Sequence, residues 1–290
     1  MQTTNLRDIT CAGIVTYNPD LLRLQQNING INNNRIVRII IVDNGSANIE
    51  KLEELIKEQK QILLIKNEKN EGIAYALNQI FIEASEDDSF KWVLTLDQDT
   101  IINDNLMDIY NKYYDSEHNI GSITSIRHDR AYSETQKHDN VPTEFVDRCI
   151  TSGNLVRVDA WKSIHGFDNR LFIDMVDYDF CYRLREKGFQ ILRINQPCIL
   201  HELGKPTIVY FLGKKRIVYN HSAFRKYYIC RNYIYTLRNF GKYAKKDDSY
   251  GFLVRLFVKT LFYEKDDKAK KLFNMIKGIF DGLRLKRIQL

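Results

Sequence analysis

The chain has 290 residues, of which 44% are hydrophobic and 28% are charged. This composition excludes a disordered, collagen-like or coiled-coil chain, and the length suits one large domain or two small ones. The formal charge of +6 suits an anionic partner without naming one.

The first half of the sequence alternates between predicted strands and helices. Apolar runs predict strands over residues 9–16, 37–42, 62–65 and 92–96. Helical patterns fall between them, over 21–31, 49–60 and 72–78. Strands and helices that alternate at this spacing form a parallel sheet with helices on both faces. The sequence therefore predicts an α/β fold.

The second half is less regular. Residues 122–160 hold short β-like runs and a polar insert over 128–140, which we expect to be a surface loop. A helix is predicted over 174–187, closed by Gly188, and is followed by a strand over 191–194. From residue 222 onwards the pattern is helical to the C-terminus.

Polar side chains follow the predicted strands at the points where these end. Tyr17, Asp43, Asn70 and Asp97 all stand there. In an open parallel sheet, ligands bind beyond the carboxyl ends of the strands, so we expect these residues to open onto one crevice. Asp43 fits two roles equally well, as a hydrogen-bond acceptor for a nucleobase or ribose and as an ordinary turn or helix-cap aspartate.

Asp97 and Asp99 directly follow the fourth predicted strand. Two carboxylates at this spacing can both reach a hard divalent cation, which commonly bridges to a diphosphate. The sequence has neither a GxGxxG after its first strand nor a GxxxxGK[ST] anywhere, which argues against NAD-binding and P-loop proteins. Its basic residues are spread along the chain without a recognition motif, which argues against a nucleic-acid partner.

Eight short motifs occur in a fixed order along the chain. They are TYNP (16–19), VDNGS (42–46), NEGIAYALN (70–78), LDQD (96–99), TSGN (151–154), FIDMVDYDFCYRL (172–184), HELG (201–204) and YYICRN (227–232). In this order the sequence resembles the inverting family-two glycosyltransferases, and most of all their bacterial rhamnosyltransferase branch. The resemblance implies a GT-A fold, in which helices flank a Rossmann-like, mostly parallel central sheet, here with a helical C-terminal extension.

The resemblance also implies a nucleotide-sugar site. The residues that it places there are Thr16, Tyr17, Asp43, Asn70, Gly72, Asn78, Asp97, Gly153, Asn154 and Arg231. The implied cofactor is Mg²⁺ or Mn²⁺, bound by Asp97 and Asp99. His201 stands where some relatives supply a third metal ligand, although a lone histidine is equally often structural.

Asp177 falls where such enzymes keep their general base, with Asp179 and Arg183 expected to support it on the same helical turn. A sugar hydroxyl is a poor nucleophile, so a carboxylate must take its proton as the new bond forms. Many relatives carry Glu where this chain has Val176, and Asp174 is therefore a second candidate for the base. An acidic residue at this position equally serves to compensate a helix dipole.

The resemblance divides the chain into a glycosyltransferase domain over 1–240 and a basic C-terminal segment over 241–290. Within the domain, residues 9–120 are the expected nucleotide-sugar half and 121–240 the acceptor half. Six apolar residues of the C-terminal segment recur at helical spacing, namely Leu272, Met275, Ile276, Ile279, Phe280 and Leu283. This stripe either lies on an anionic membrane leaflet or packs on the catalytic domain or a partner subunit, and a homodimer is left open.

The N-terminus lacks the apolar core of a secretory signal, and no stretch approaches the roughly 18 apolar residues of a membrane span. Five scattered cysteines without a CxxC motif favour a reducing compartment. We therefore predict a cytoplasmic protein, with peripheral contact to the inner face of the cell membrane left open.

The resemblance implies a reaction in which L-rhamnose is transferred from dTDP-L-rhamnose to a growing, lipid-linked surface glycan. A UDP-hexose or UDP-galactofuranose donor, or a noncatalytic nucleotide-sugar-binding protein, is the alternative. A nucleotidyltransferase fits less well, because TYNPDLL after the first strand contains no glycine.

Overall fold

The computed structural model describes residues 4–116, 118–129, 141–201, 207–211, 214–243 and 249–288. The strands are β1 (Thr10–Thr16), β2 (Ile39–Asp43), β3 (Ile62–Lys66), β4 (Trp92–Asp97), β5 (Ile101–Ile102), β6 (Ile120–Asp129), β7 (Thr143–Phe145), β8 (Asn154–Arg157), β9 (Gln190–His201), β10 (Thr207–Phe211) and β11 (Lys214–Val218). The α-helices are α1 (Leu21–Asn33), α2 (Ile49–Ile56), α3 (Ile73–Ala84), α4 (Leu106–Tyr110), α5 (Val158–Ser163), α6 (Val176–Glu186), α7 (Ala223–Phe240), α8 (Tyr250–Phe262) and α9 (Lys268–Arg284).

Most of the strands join in one central sheet. Their order is β3-β2-β1-β4-β8-β6-β9-β5, and β7 pairs with β9. The first four strands of the chain run parallel, as the alternation of strands and helices predicts. Strand β8 is antiparallel to both β4 and β6, so the second half of the sheet is mixed. Strands β10 and β11 form a separate hairpin.

Both faces of the sheet are covered by apolar side chains. Successive residues of a strand point to opposite faces, and β1 accordingly places Ile14 against Leu24 and Ile28 on one face. Cys11 belongs to the cluster on the other face, together with Ile80 of α3. A fully buried side chain of this size contributes about 1.5–3 kcal/mol. The α/β fold class is thus confirmed.

Several boundaries differ from the sequence-based prediction. Helix α2 ends four residues earlier than predicted, because the chain turns there and the Gln59 N–H donates to the Ile56 carbonyl at 2.9 Å. Helix α6 begins at Val176, since Asp174 and Met175 have φ angles of +63° and +64° that no α-helix contains. Gly188 follows α6 with φ +84°, as predicted for its C-terminal end.

The predicted surface loop over 128–140 is wrong at its start, where residues 128 and 129 continue strand β6. The rest of that insert, 130–140, lies outside the described residues. Strand β9 is also far longer than the predicted 191–194. It gains this length by pairing with β6, β7 and β5.

The helical pattern predicted from residue 222 onwards corresponds, in the described part of this segment, to the three α-helices α7, α8 and α9. Helix α9 packs closely on α7, because a Cβ at Gly278 would lie 2.3 Å from the Tyr227 carbonyl oxygen. The predicted apolar stripe is divided: Met275 is buried, whereas Phe280 is exposed. No helix in the described part of the chain has the length and apolar character needed to cross a membrane.

Candidate active site

The ends of three parallel strands meet at one edge of the sheet. Thr16 pairs with Asp43 across β1 and β2, and Val15 pairs with Asp97 across β1 and β4. The Thr16 hydroxyl donates to Asp43 Oδ1 at 2.9 Å. The observed register thus places Thr16, Asp43 and Asp97 at one edge of the sheet, and the crevice itself stays a prediction.

The Asp43 carboxylate is directed into the turn that follows β2. It is buried and accepts the Ser46 N–H at Oδ2 over 2.8 Å. The next residue of the turn, Asn44, donates to Asn70 Oδ1 at 3.0 Å and to the Gly72 carbonyl at 3.2 Å. These bonds join the loop after β2 to the loop before α3.

Tyr17 directly follows β1. Its ring is about half exposed, and its backbone N–H donates to Gln98 Oε1 at 2.8 Å. Gln98 stands between Asp97 and Asp99, so this bond fixes the loop after β1 against the acidic loop after β4. No pattern in the sequence pointed to Gln98.

Gly72 and Asn78 connect α3 to the segment before α6. Gly72 has φ +90°, and a Cβ there would lie 2.7 Å from Phe172 Cδ2, so the group that approaches Gly72 is Phe172. The Asn78 amide donates to the Phe167 carbonyl at 2.8 Å and accepts the Trp161 indole N–H at 3.0 Å. Asn78 therefore supports this segment through protein contacts.

Asp97 and Asp99 lie half-buried at the end of β4. The Asp97 N–H donates to Ser152 Oγ at 3.2 Å, which brings the TSGN segment beside the acidic loop. In that segment, Gly153 has φ +74° and its N–H donates to the Thr95 carbonyl at 2.8 Å. Asn154 is buried, and its side-chain oxygen accepts the Ser122 hydroxyl.

The donor set at this loop fits a hard divalent cation. It consists of carboxylate oxygens that repel one another, and such oxygens are the ligands that Mg²⁺ and Mn²⁺ prefer. Ile101 pairs with Leu200, so the backbone of His201 lies close to this loop, while its side chain lies outside the described residues. Among the side chains that are described, no three His, Cys, Asp or Glu converge as a metal cluster.

Asp177 stands in the first turn of α6 and faces further acidic groups. Its Oδ1 accepts the Tyr178 N–H at 2.9 Å. The pKa of Asp177 is raised to about 7, mainly because the carboxylate is removed from water. The negative charges of Asp97 and Asp174 raise it further. The Asp177 carboxylate is therefore within electrostatic reach of Asp97, one of the two predicted metal ligands.

Asp174 is held by an arginine that the sequence analysis did not single out. Arg225, in the first turn of α7, donates from Nε and Nη2 to the two Asp174 oxygens at 3.1 and 3.0 Å. The two residues are 51 positions apart, and no sequence pattern links them.

Asn232 fixes the loop that carries Asp174. Its buried amide nitrogen lies 2.7, 2.8 and 2.9 Å from the carbonyl oxygens of Leu171, Ile173 and Asp174. This loop contains residues in the left-handed region, Phe172 among them with φ +60°. Such conformations persist only where surrounding contacts enforce them. Asn232 is the second half of the RN pair, of which the sequence analysis assigned only the arginine.

Arg231 and Arg183 are both anchored within the protein. The Arg231 guanidinium donates to Asn232 Oδ1 at 2.9 Å and to the Arg170 carbonyl, beside the loop that Asn232 holds. Arg183 forms a fully buried ion pair with Asp179 at 2.7 Å. Asp179 lies two residues beyond Asp177 on α6 and Arg183 lies six residues beyond it, so the pair stands on the same helix as Asp177 and within the core.

Comparison with known proteins gives a family match and a named relative. Residues 11–178, more than half of the chain, match the family model "Glycosyl transferase family 2". The chain is 27% identical over 241 residues to a Shigella flexneri protein named dTDP-rhamnosyl transferase RfbF. That alignment covers 78% of this chain and 79% of the Shigella protein.

Solved structures share the fold at lower identity. A crystal structure of GalNAc-T7 with UDP, GalNAc and Mn²⁺ has a TM-score of 0.61 at 14% identity, covering 95% of this chain and 56% of that one. The structure of S. aureus TarS 1–349 in complex with UDP-GlcNAc has a TM-score of 0.57 at 14% identity. That match covers 93% of this chain and 81% of the TarS chain. The structure of the mannosyltransferase PcManGT from Pyrobaculum calidifontis, with GDP-Man and Mn²⁺, has a TM-score of 0.56 at 10% identity. That match covers 97% of this chain and 76% of the PcManGT chain.

The family match over more than half of the chain and the shared fold lead to one conclusion: this chain belongs to glycosyltransferase family 2 and is a glycosyltransferase of GT-A fold.

Proposed function

We propose that this chain transfers L-rhamnose from dTDP-L-rhamnose to a hydroxyl of a growing, lipid-linked glycan, with inversion at the anomeric carbon. The observation that carries the reaction is the position of Asp177 in the first turn of α6, where removal from water and the negative charge of Asp97 raise its pKa to about 7. A general base works best when its pKa lies near the working pH.

In the proposed step, the acceptor oxygen bonds to the anomeric carbon while the bond from that carbon to the diphosphate oxygen breaks. Asp177 takes the proton of the acceptor hydroxyl, and the nucleoside diphosphate leaves with the electron pair. A single direct displacement inverts the anomeric centre, and no covalent sugar intermediate is needed.

The walls of the crevice are proposed to bind the donor. Thr16, Tyr17, Asp43 and Asn70 would line the nucleotide pocket, with Gly72 and Asn78 shaping its wall. Their clustering at the ends of β1, β2 and β3 supports this assignment. Gly153 and Asn154 would border the sugar, since the TSGN segment contacts Asp97 through Ser152.

Asp97 and Asp99 would hold Mg²⁺ or Mn²⁺, with His201 as a further candidate ligand. When bound, the cation neutralises charge that develops on the leaving diphosphate. The basic side chain proposed to act on the same charge is Arg231, which the loop at Arg170 orients. Mn²⁺ in the structures of GalNAc-T7 and PcManGT supports a divalent cation here.

The donor assignment is supported by the name of the Shigella relative. The division of the domain is proposed from the sheet: residues 9–120 contain the four parallel strands and would bind the nucleotide sugar, and 121–240 would bind the acceptor. UDP-hexose and UDP-galactofuranose are the competing donors.

The test is release of nucleoside diphosphate from dTDP-L-rhamnose, UDP-glucose and UDP-galactofuranose, each with Mg²⁺, Mn²⁺ or EDTA. We expect fastest release from dTDP-L-rhamnose, abolished by EDTA. Preferred turnover of a UDP-sugar would overturn the donor assignment, and turnover unaffected by EDTA would overturn the assignment of a metal to Asp97 and Asp99.

A further inference from the structure

Helices α8 and α9 each expose a continuous apolar stripe. The side chains of the two stripes are between 43% and 68% exposed. On α8 they are Tyr250, Val254, Val258, Leu261 and Phe262, and on α9 Phe273, Ile276, Phe280 and Leu283. We call this set the outer face. Spacings of three and four residues place the members of each stripe on one side of their helix.

The outer face points away from the rest of the protein. Helix α9 lies on α7 through Gly278 and Gly282, whose added Cβ atoms would meet the backbone of Tyr227 and Arg231. Helix α8 packs on the same cluster through Leu253 and Phe252, the latter with its ring centroid 4.5 Å from that of Tyr233. Both helices therefore bury one side in a shared cluster and turn the opposite side outward.

Basic residues line one edge of each stripe. Arg255 and Lys259 directly follow Val254 and Val258, and Arg284 directly follows Leu283. These three basic side chains are exposed. Adjacent residues on a helix lie about 100° apart, so the cationic groups stand at the margin of the apolar surface. This arrangement of an apolar centre and a cationic margin is typical of helices that lie in a membrane interface.

The net charge of the chain is concentrated in this segment. Residues 251–290 contain ten Lys and Arg against four Asp and Glu, a formal charge of +6. The whole chain also carries +6, so residues 1–250 are neutral on balance. Basic segments next to a bilayer are attracted by its anionic lipids.

From these observations we infer that the outer face of α8 and α9 docks the enzyme on an anionic lipid bilayer. A second copy of the chain fits this face less well, because a two-fold interface would set two surfaces of the same net positive charge against each other. The inference goes beyond the proposed transfer reaction and does not depend on it. Helix α7, which lies beneath the outer face, carries Arg225 and Asn232, so docking would bring the candidate active site near the leaflet.

The test is co-sedimentation of the full chain with vesicles of pure phosphatidylcholine and of phosphatidylcholine with about 30 mol% phosphatidylglycerol. We expect binding to the anionic vesicles to be about tenfold stronger or more, and to weaken with salt. Equal binding to both vesicles, or binding to neither, would overturn the inference.

Paired variants identify the surface. Phe273→Ser with Phe280→Ser should lower binding by about tenfold or more, and Arg255→Gln with Lys259→Gln by severalfold. The matched controls are Leu22→Ser with Val37→Ser and Lys51→Gln with Lys60→Gln, which alter exposed residues elsewhere and should bind like the wild type. Wild-type binding by folded outer-face variants would overturn the inference.

Sedimentation equilibrium without lipid tests whether a second copy of the chain covers the outer face instead of a bilayer. We expect the wild type and the Phe273→Ser, Phe280→Ser protein to have the same mass. A dimer that the two serines dissociate would assign the outer face to a second copy of the chain. Vesicle binding needs no turnover, so a failure of this inference leaves the proposed transfer reaction untouched. In the same way, a failure of the proposed transfer reaction leaves the membrane inference untouched.

Discussion

Arg225 donates hydrogen bonds to both carboxylate oxygens of Asp174, whereas Asp177, three residues further on, has its pKa raised to about 7. Sequence analysis left these two aspartates as competing candidates for the base. The ion pair engages both oxygens of Asp174, while the environment of Asp177 favours reversible protonation near neutral pH. We therefore assign proton abstraction to Asp177 and positioning of the loop to Asp174.

This assignment predicts a limited loss of activity for Asp174→Asn. An amide can still accept a hydrogen bond from Arg225, so we expect kcat to fall by about tenfold, well short of the 10²–10⁴-fold loss typical of a missing general base. Initial rates of nucleoside diphosphate release measure this. A loss as large as that caused by Asp177→Asn would move the base to Asp174.

The pH dependence of the rate follows from the raised pKa of Asp177. The ionised carboxylate is the active form, so kcat/KM should rise as the pH increases, with its inflection at about 7 or below. A bound cation would offset the repulsion from Asp97 and move the inflection downward. A rate that stays constant between about pH 5 and 8 would contradict the assignment.

The same carboxyl group also affects stability. Its pKa is raised on folding from an ordinary value near 4, so the folded state binds more protons than the unfolded state between about pH 4 and 7. The free energy of unfolding should therefore fall as the pH rises through this range. Asp177→Asn should remove the part of this pH dependence that comes from Asp177. The Tm of the variant minus the Tm of the wild type should therefore increase from pH 5 to pH 8. Asp88→Asn, at an exposed position before β4, is the control and should show no such trend.

Asn232→Ala should damage both the fold and the rate. It leaves three carbonyl oxygens of the loop without their amide partner, at a cost of about 1–3 kcal/mol in the free energy of unfolding. Asn239→Ala is the matched control on the same helix, since within the described residues the Asn239 amide nitrogen donates one hydrogen bond, to the Tyr235 carbonyl. A positioning role predicts that kcat falls more than KM changes for Asn232→Ala. An unchanged kcat in the folded variant would contradict it.

Arg183→Gln tests the buried ion pair on α6. Removing Arg183 leaves the Asp179 charge in the core without its partner. This should lower the free energy of unfolding by about 3–5 kcal/mol, measured by urea unfolding. The exposed pair Lys57–Glu54 offers the comparison: Lys57→Gln should change the stability by no more than about 0.5 kcal/mol. Equal effects of the two substitutions would contradict the role given to Arg183.

The sequence was sufficient for features that depend on local pattern. The alternation of apolar runs predicted the parallel half of the sheet, and the residues just after each run, such as Asp43 and Asp97, lie at one edge because parallel strands end on the same side. The length of β9 was missed because its later residues pair with three other strands and carry mixed polar and apolar side chains.

Contacts between distant residues could not be predicted. The Arg225–Asp174 pair and the bonds of Asn232 depend on how α7 crosses the loop before α6, and a single sequence carries no record of that crossing. The outer face was predicted only in part. The periodicity of α9 predicted an apolar stripe. Gly278 and Gly282 contact α7, so that side of α9 is buried and Phe280, on another side, remains exposed.

The most direct test of the account compares the wild type with Asp177→Asn, using dTDP-L-rhamnose, Mg²⁺ and a lipid-linked glycan acceptor, with the rhamnosylated product measured by mass spectrometry. The account predicts a loss of at least about 10²-fold in kcat for a variant that still folds and binds the donor. Unchanged formation of product by Asp177→Asn would contradict it.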